Sequence, residues 1–415
     1  MRLTKLASRT TRKTPIMSQR LNLMSPEFRE DPYPFYAKLR RESPVCQVDP
    51  NGFWAVSRYE DIITVFKDPE LFSSSALRIS AEPPWLGRTN PASEGMNLAE
   101  PQQHARLRGL VSRAFTQSVV ARMEPFARDV ASRLTDMLFQ WETVDFLSEF
   151  ALSMPASLMA LLLGVDPSLQ KQFKRWSDDI SGAVVVAPDD LVRQEQVRKS
   201  MGEVEAYILG LLEQRRAKPG TDDLVTDLLR VQENGAGLTD KEIMSFIVLL
   251  LVAGLETTTY LLSHMALILA KHPEWFERLR SNDVLINQFI EEVLRYEPPD
   301  HCQLRVTTRE TTLGGVKLPA GAPVLLLLAS GLRDETHFPD ADRFNPERGV
   351  QANLAFGHGI HFCLGAPLAR MEARVALDTI LASFSRFELA TDKVQWIYSL
   401  FFRAPVSVPL RLIPL

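Results

Sequence analysis

Phe356-Gly357-His358-Gly359-Ile360-His361-Phe362-Cys363-Leu364-Gly365 sets one cysteine in a glycine-punctuated loop. Histidines stand before the cysteine, and a helix-like run, Ala366 to Leu381, follows it. Glycines let a loop bend where other residues would be strained. A helix beginning just after a sulfur offers it the positive end of a dipole and favours the anion. The stretch therefore presents a single thiolate, the form of cysteine that binds metals. A free cysteine without such a setting behaves as a small buried hydrophobe, and Cys46 and Cys302 are read that way.

Outward from the loop, the 415-residue chain is 45% hydrophobic and 24% charged, the composition of an ordinary globular protein. It is long enough to build a core that encloses a ligand. A net charge of -4 gives no electrostatic footprint for nucleic acid. Three cysteines argue against a disulfide framework and fit a reducing, cytoplasmic location. Residues 1–24 are expected to be a disordered basic tail: Arg2, Lys5, Arg9, Arg12, Lys13 and Arg20 are met by no acid in the first twenty residues. A start at Met17 or a transit peptide would look the same. Phe246 to Leu255 and Tyr260 to Ala270 are apolar, but Glu256-Thr257-Thr258-Thr259 separates them. A carboxylate in mid-span is costly in lipid, so no membrane span is expected and the segment reads as a buried helix.

The pattern elsewhere is mainly α with a smaller β-rich region, in one domain over residues 25–415. Pro32 to Arg41 and Tyr59 to Phe66 have helical spacing, and Gly52 to Ser57 alternates as a strand does. Phe72 to Glu94 has no clear period and reads as a long loop. Helices are expected at roughly 102–114, 116–140, 148–163, 167–182 and 190–217. Thr239-Asp240-Lys241-Glu242 is a capping box that opens a run ending at His272-Pro273. A further helix covers Asn287 to Tyr296 and stops before Pro298-Pro299. Thr311 to Leu328 reads as hairpin strands, with turns at Gly314-Gly315 and Ala320-Gly321.

The ten-residue loop resembles the haem loop of the cytochrome P450 family, Phe-Gly-x-Gly-x-His-x-Cys-x-Gly, at every fixed position. The resemblance implies the P450 fold and a bound heme b (iron protoporphyrin IX), with O2 as co-substrate. Cys363 would be the axial metal ligand, whose thiolate favours O–O cleavage. Phe356 and Gly357 would shape the loop, and Gly365 would let the backbone approach the porphyrin. Glu100 to Arg108 resembles the family's propionate-binding helix start, with His104 and Arg108 at i, i+4 on one face. Arg305 and His361 match two further propionate contacts. Ala253-Gly254-Leu255-Glu256-Thr257 resembles the oxygen-activation motif. Glu256 would then relay protons, Thr257 would supply the hydroxyl, and Gly254 would let the helix bulge to open a groove for O2. The ordinary alternative is a threonine bonded back to a carbonyl beside a solvated glutamate. Glu292-Val293-Leu294-Arg295 and the Arg348 of Phe344-Asn345-Pro346-Glu347-Arg348 match a buried structural triad.

Leu249, Val252 and Ala253 precede the Glu-Thr pair by about one turn and are expected to line an apolar substrate pocket. The loop from Leu77 to Met96 would roof it. Asp300 to Leu304, with Cys302 and Leu304 lining, and the tail residues Leu400, Phe401 and Phe402 would close its sides. Asp300, His301 and Gln303 would be a polar anchor or merely contact their neighbours. An apolar lining selects an apolar guest: a terpenoid by preference, otherwise a steroid, fatty acid or polyketide. No flavin or iron–sulfur signature occurs in the chain. The resemblance therefore implies a ferredoxin-type electron carrier and its NAD(P)H-dependent reductase, with Arg106, Arg113 and Arg370 as a docking surface. The expected activity is monooxygenation. The alternatives are a peroxide-driven hydroxylase, against which Glu256-Thr257 argues, and a non-catalytic haem binder or gas sensor.

Overall fold

The computed structural model describes residues 20–75, 78, 82–183, 186–218, 220–221, 223–232, 237–349 and 353–415. Most of the expected basic tail, and Leu77 at the start of the expected roof, lie outside these residues. The packed chain begins upstream of residue 25: Leu23 is buried, and its N–H donates to Asp49 O at 2.8 Å.

Helices dominate. They run α1 Pro26–Glu30, α2 Tyr33–Glu42, α3 Tyr59–Lys67, α4 Pro101–Val111, α5 Gln117–Leu138, α6 Ser153–Leu163, α7 Gln170–Gly182, α8 Leu191–Ala217 and α9 Leu224–Val231. Then come α10 Asp240–Lys271, α11 Glu274–Arg280, α12 Asp283–Tyr296, α13 Leu328–Gly331 and α14 Ala366–Ser383. The axis of the molecule is α10. Its capping box is complete: Glu242 N–H donates to Thr239 Oγ1 at 3.2 Å, and Thr239 N–H to Glu242 Oε2 at 2.8 Å. Helices α6, α7 and α14 pack around it. Among the described residues only this helix is long and apolar enough to cross a membrane, and 67% of its most apolar window is buried inside the protein. Helix α12 starts four residues earlier than its periodicity suggests, because the Asn282 side chain caps it by accepting from Val284 and Leu285 N–H.

The β-rich region contains a five-stranded sheet. Strands β1 Val45–Val48, β2 Phe53–Val56, β3 Phe72–Ser73, β4 Val144–Asp145, β5 Cys302–Thr307, β6 Thr311–Leu313, β7 Val316–Leu318 and β8 Pro323–Leu327 precede β9 Phe384–Leu389 and β10 Pro409–Pro414. The sheet order is β1-β2-β8-β5-β3. The expected hairpin series over 311–328 is half right. Strands β6 and β7 pair across Gly314-Gly315, but β8 leaves them to lie between β2 and β5. Composition explains the split. Val324 to Leu327 are fully buried, as a central strand covered on both faces requires, whereas Thr312 and Lys317 of the small hairpin are exposed.

Candidate active site

The Cys363 loop leads into α14. Its turns need left-handed backbone at Gly357 (φ 71°) and Gly359 (φ 73°), and a Cβ on Gly359 would stand 2.7 Å from Phe66 O. Cys363 N–H donates to Phe356 O at 2.9 Å, which closes the loop. Cys363 is exposed by area yet enclosed by protein, so it lines an internal cleft. Burial pushes the thiol pKa up, opposed by the Gly365 N–H and by the Arg108 and Arg370 charges. A bound cation would reverse that balance by selecting the thiolate.

Four basic side chains gather near the loop. The His104 and His361 rings lie 4.3 Å apart. Arg108 donates to Phe362 O at 2.7 Å and to Ile360 O at 3.3 Å. Arg305 is buried, donates to Leu304 O at 2.7 Å and lies over the Phe66 ring at 5.4 Å. His361 meets Ser74 Oγ at 3.1 Å. Burial lowers the Arg305 pKa to about 10, and burial with the Arg305, His104 and Arg108 charges lowers His361 to about 3. His104 is lowered by burial and by Arg108. None of the four forms an ion pair with a described carboxylate. A sulfur beside two arginines without ion-pair partners and two imidazole hydrogen-bond donors fits a metal group that carries carboxylates, as a haem with its propionates does.

On α10, Ala253 is exposed and Thr257 half-buried in a helix that is otherwise mostly buried. Thr257 Oγ1 donates to Ala253 O at 2.6 Å, the back-bonded geometry of the ordinary alternative. Glu256 departs from that alternative. It is only 1% exposed and accepts from two hydroxyls of α7, Ser177 at 2.5 Å and Ser181 at 3.1 Å. Burial, chiefly, raises its pKa. The bulge expected at Gly254 does not occur: α10 is continuous, and the space left by the missing side chain is filled by Met159 of α6, whose Cε would be 2.5 Å from a Cβ.

The expected pocket residues divide. Leu249 and Val252 are half-buried on α10 beside Ala253. Cys302 and Leu304 do not line the cleft; they sit in a core cluster with Tyr36, Leu39 and Ala329. Alternation along β5 is the reason, since the opposite face carries Gln303 and Arg305. The Gln303 amide nitrogen lies 3.6 Å from where a Gly357 Cβ would be. Phe401 packs on the same core cluster, while the Phe402 ring lies 6.2 Å from Tyr260 of α10.

Glu292, Arg295 and Arg348 lie together. Arg295 donates to both Glu292 oxygens at 2.7 and 2.8 Å, and Arg348 Nε to both at 3.0 Å. Asn345 N–H adds a contact at 2.8 Å, and Arg295 reaches Leu332 O and Ala341 O. Of the expected docking arginines, Arg113 is exposed. Arg106 pairs with Glu242, and Arg370 pairs with Glu291 and covers the Phe356 ring. Sequence reasoning missed Ser177 and Ser181. Their i, i+4 spacing on an amphipathic helix was the available signal, but it does not name the partner helix.

A family model for cytochrome P450 matches residues 20–406. The erythromycin C-12 hydroxylase of Saccharopolyspora erythraea is 37% identical over 85% of this chain and 87% of its own. The solved structure of cytochrome P450 CYP109Q5 from Chondromyces apiculatus is 39% identical, with a TM-score of 0.87, over 95% of this chain and 99% of that one. CYP109E1 from Bacillus megaterium, solved in complex with testosterone, is 32% identical, with a TM-score of 0.85, over 93% and 99%.

Proposed function

Because the chain belongs to the cytochrome P450 family, we propose that it inserts one oxygen atom of O2 into a C–H or C=C bond of an apolar small molecule. For a C–H bond, RH + O2 + 2 electrons + 2 protons give ROH + H2O. The observation that carries this proposal is Cys363, enclosed yet accessible, in a loop whose His361 neighbours His104, Arg108 and Arg305. Heme b, when bound, supplies the activation of O2 and the oxidation of the guest.

The chain's residues do the rest. The Cys363 sulfur is the metal ligand, with the Gly365 N–H directed at it. His104, Arg108, Arg305 and His361 hold the two propionates by charge-assisted hydrogen bonds. Phe356, Gly357 and Gly365 shape the loop against the porphyrin. Glu256 keeps a proton to higher pH than a solvated glutamate does, as suits an acid that delivers protons near neutrality. Thr257 donates its hydroxyl proton to Ala253 O, which leaves its oxygen to accept a hydrogen bond from a water in the cleft. Glu292, Arg295 and Arg348 fix the scaffold beneath the loop.

Leu249, Val252 and Ala253 favour an apolar body. A macrolide-type or steroid skeleton is the class supported by the names of the relatives, one a macrolide hydroxylase and one solved with testosterone. Electrons come from an external ferredoxin-type carrier and its NAD(P)H-dependent reductase, and the protein works in the cytoplasm. The test is optical. The reduced, CO-treated protein shows the red-shifted Soret band of a thiolate-ligated haem, and Cys363→Ser abolishes it. An unchanged band in the variant overturns the ligand assignment.

A further inference from the structure

We infer that Asp300 is a recognition group in the cleft for a guest that carries a protonated amine on its apolar body. The inference deepens the proposed function by naming a substrate class. It begins with the backbone before β5. His301 N–H donates to Phe401 O at 2.7 Å, Arg403 N–H donates to Pro299 O at 3.0 Å, and Asp300 forms an antiparallel bridge with Phe402. That pairing sends alternate side chains to opposite sides. The His301 ring goes inward to Tyr36, whose hydroxyl lies 3.3 Å from Nδ1. Asp300 goes the other way: its Oδ2 accepts from the Gln303 amide at 3.2 Å, and that amide faces Gly357 of the cysteine loop.

Two further observations bear on the side that Asp300 faces. Its bridge partner Phe402 lies against Tyr260, three residues beyond Thr257 on α10. Like Cys363, it is partly accessible by area while enclosed by protein. The carboxyl forms no ion pair with a described cation. The nearby Arg305 directs its donors to Leu304 O and Gln303 Oε1 instead. Burial pushes the Asp300 pKa to about 7, against the pull of the Gln303 amide, the Cys302 N–H and the Arg305 charge.

A buried carboxylate without a cation is normally expensive. Here folding has already removed it from most of its water, so an arriving ammonium loses only its own hydration and gains the whole attraction. A guest with neither a positive charge nor a hydrogen-bond donor gains nothing comparable from Asp300.

The experiment measures affinity and needs no electrons. N,N-dimethyldecylamine and the uncharged decyl methyl ether are titrated into the ferric holoprotein at pH 8 by equilibrium dialysis, for the wild type and Asp300→Asn. The expected result is at least tenfold tighter binding of the amine than of the ether in the wild type, with that preference lost in the variant and the ether unaffected. Equal binding of the two probes by the wild type overturns the inference without recourse to any variant. An amine preference that survives Asp300→Asn overturns it as well. A normal CO band with no amine preference removes this inference alone, while an abnormal band removes the haem-thiolate proposal.

Discussion

Ser177 on α7 donates a hydrogen bond of 2.5 Å to Glu256 on α10, where both side chains are buried. The bond ties α7 to α10, which also pack against each other. It also opposes burial: the Ser177 hydroxyl favours the ionised carboxylate, while loss of water favours the neutral acid, and burial is the larger effect.

Ser177→Ala removes the stronger of the two hydroxyl bonds to Glu256. The acid should then hold its proton to still higher pH. The expected outcome is that the Glu256-dependent limb of the pH profile for coupled product formation moves upward, while Ser177→Thr leaves it near its original position. A profile that Ser177→Ala does not move would separate Glu256 from proton delivery.

Thr257→Ala deletes a hydroxyl that now bridges Ala253 O and the cleft. General acid–base assistance of this kind is worth about 10²–10⁴-fold, so even partial loss is measurable. Product formed per NAD(P)H consumed should fall about tenfold, with peroxide released in its place, and Thr257→Ser should restore most of the coupling. The check is a paired assay of product and peroxide with a surrogate ferredoxin and reductase.

Much of this arrangement was legible in the sequence because its signals are local. The capping box of α10, the glycines of the cysteine loop and the i, i+3 pair Glu292–Arg295 each lie within a few residues of what they do. What was not legible depends on which face meets which neighbour. The swap of Cys302 and Leu304 for Gln303 and Arg305 on the cleft side needs the strand pairing of 302–307 with 323–327. In the sequence Gly254 reads as a bulge, whereas the Met159 side chain that fills the space beside it comes from another helix, 95 residues away. The partners of Glu256 sit 79 and 75 residues away, beyond any local pattern.

Glu292 neutralises two arginines, Arg295 and Arg348, in a site where Glu292 and Arg295 are 3% and 2% exposed. Glu292→Gln keeps the shape and removes the charge, leaving two guanidiniums to share one amide. Breaking a buried ion pair from one side costs about 3–5 kcal/mol, a large share of a typical domain's stability. The variant should show a large drop in melting temperature and poor haem retention. Glu347→Gln, at a neighbouring exposed position, should leave both unchanged. Calorimetry of the two variants provides the comparison.

Glu372 lies on α14, nine residues beyond Cys363, buried, with Oε2 lacking a hydrogen-bond partner among the described residues. Burial pushes its pKa to about 8. The unfolded chain would titrate this group at about 4.3, so between those two values the folded state holds a proton that the unfolded state has lost. The sign follows: stability from this group is fully present below about pH 4.3, declines as pH rises, and is gone above about pH 8. Glu372→Gln keeps the shape without the ionisation. It should match the wild type near pH 5 and exceed it at pH 8.5 by a few kcal/mol, on the order expected for a shift of this size. Denaturant unfolding at the two pH values decides the matter: a stability difference that does not grow with pH would mean that the folded protein gives Glu372 a partner for its charge.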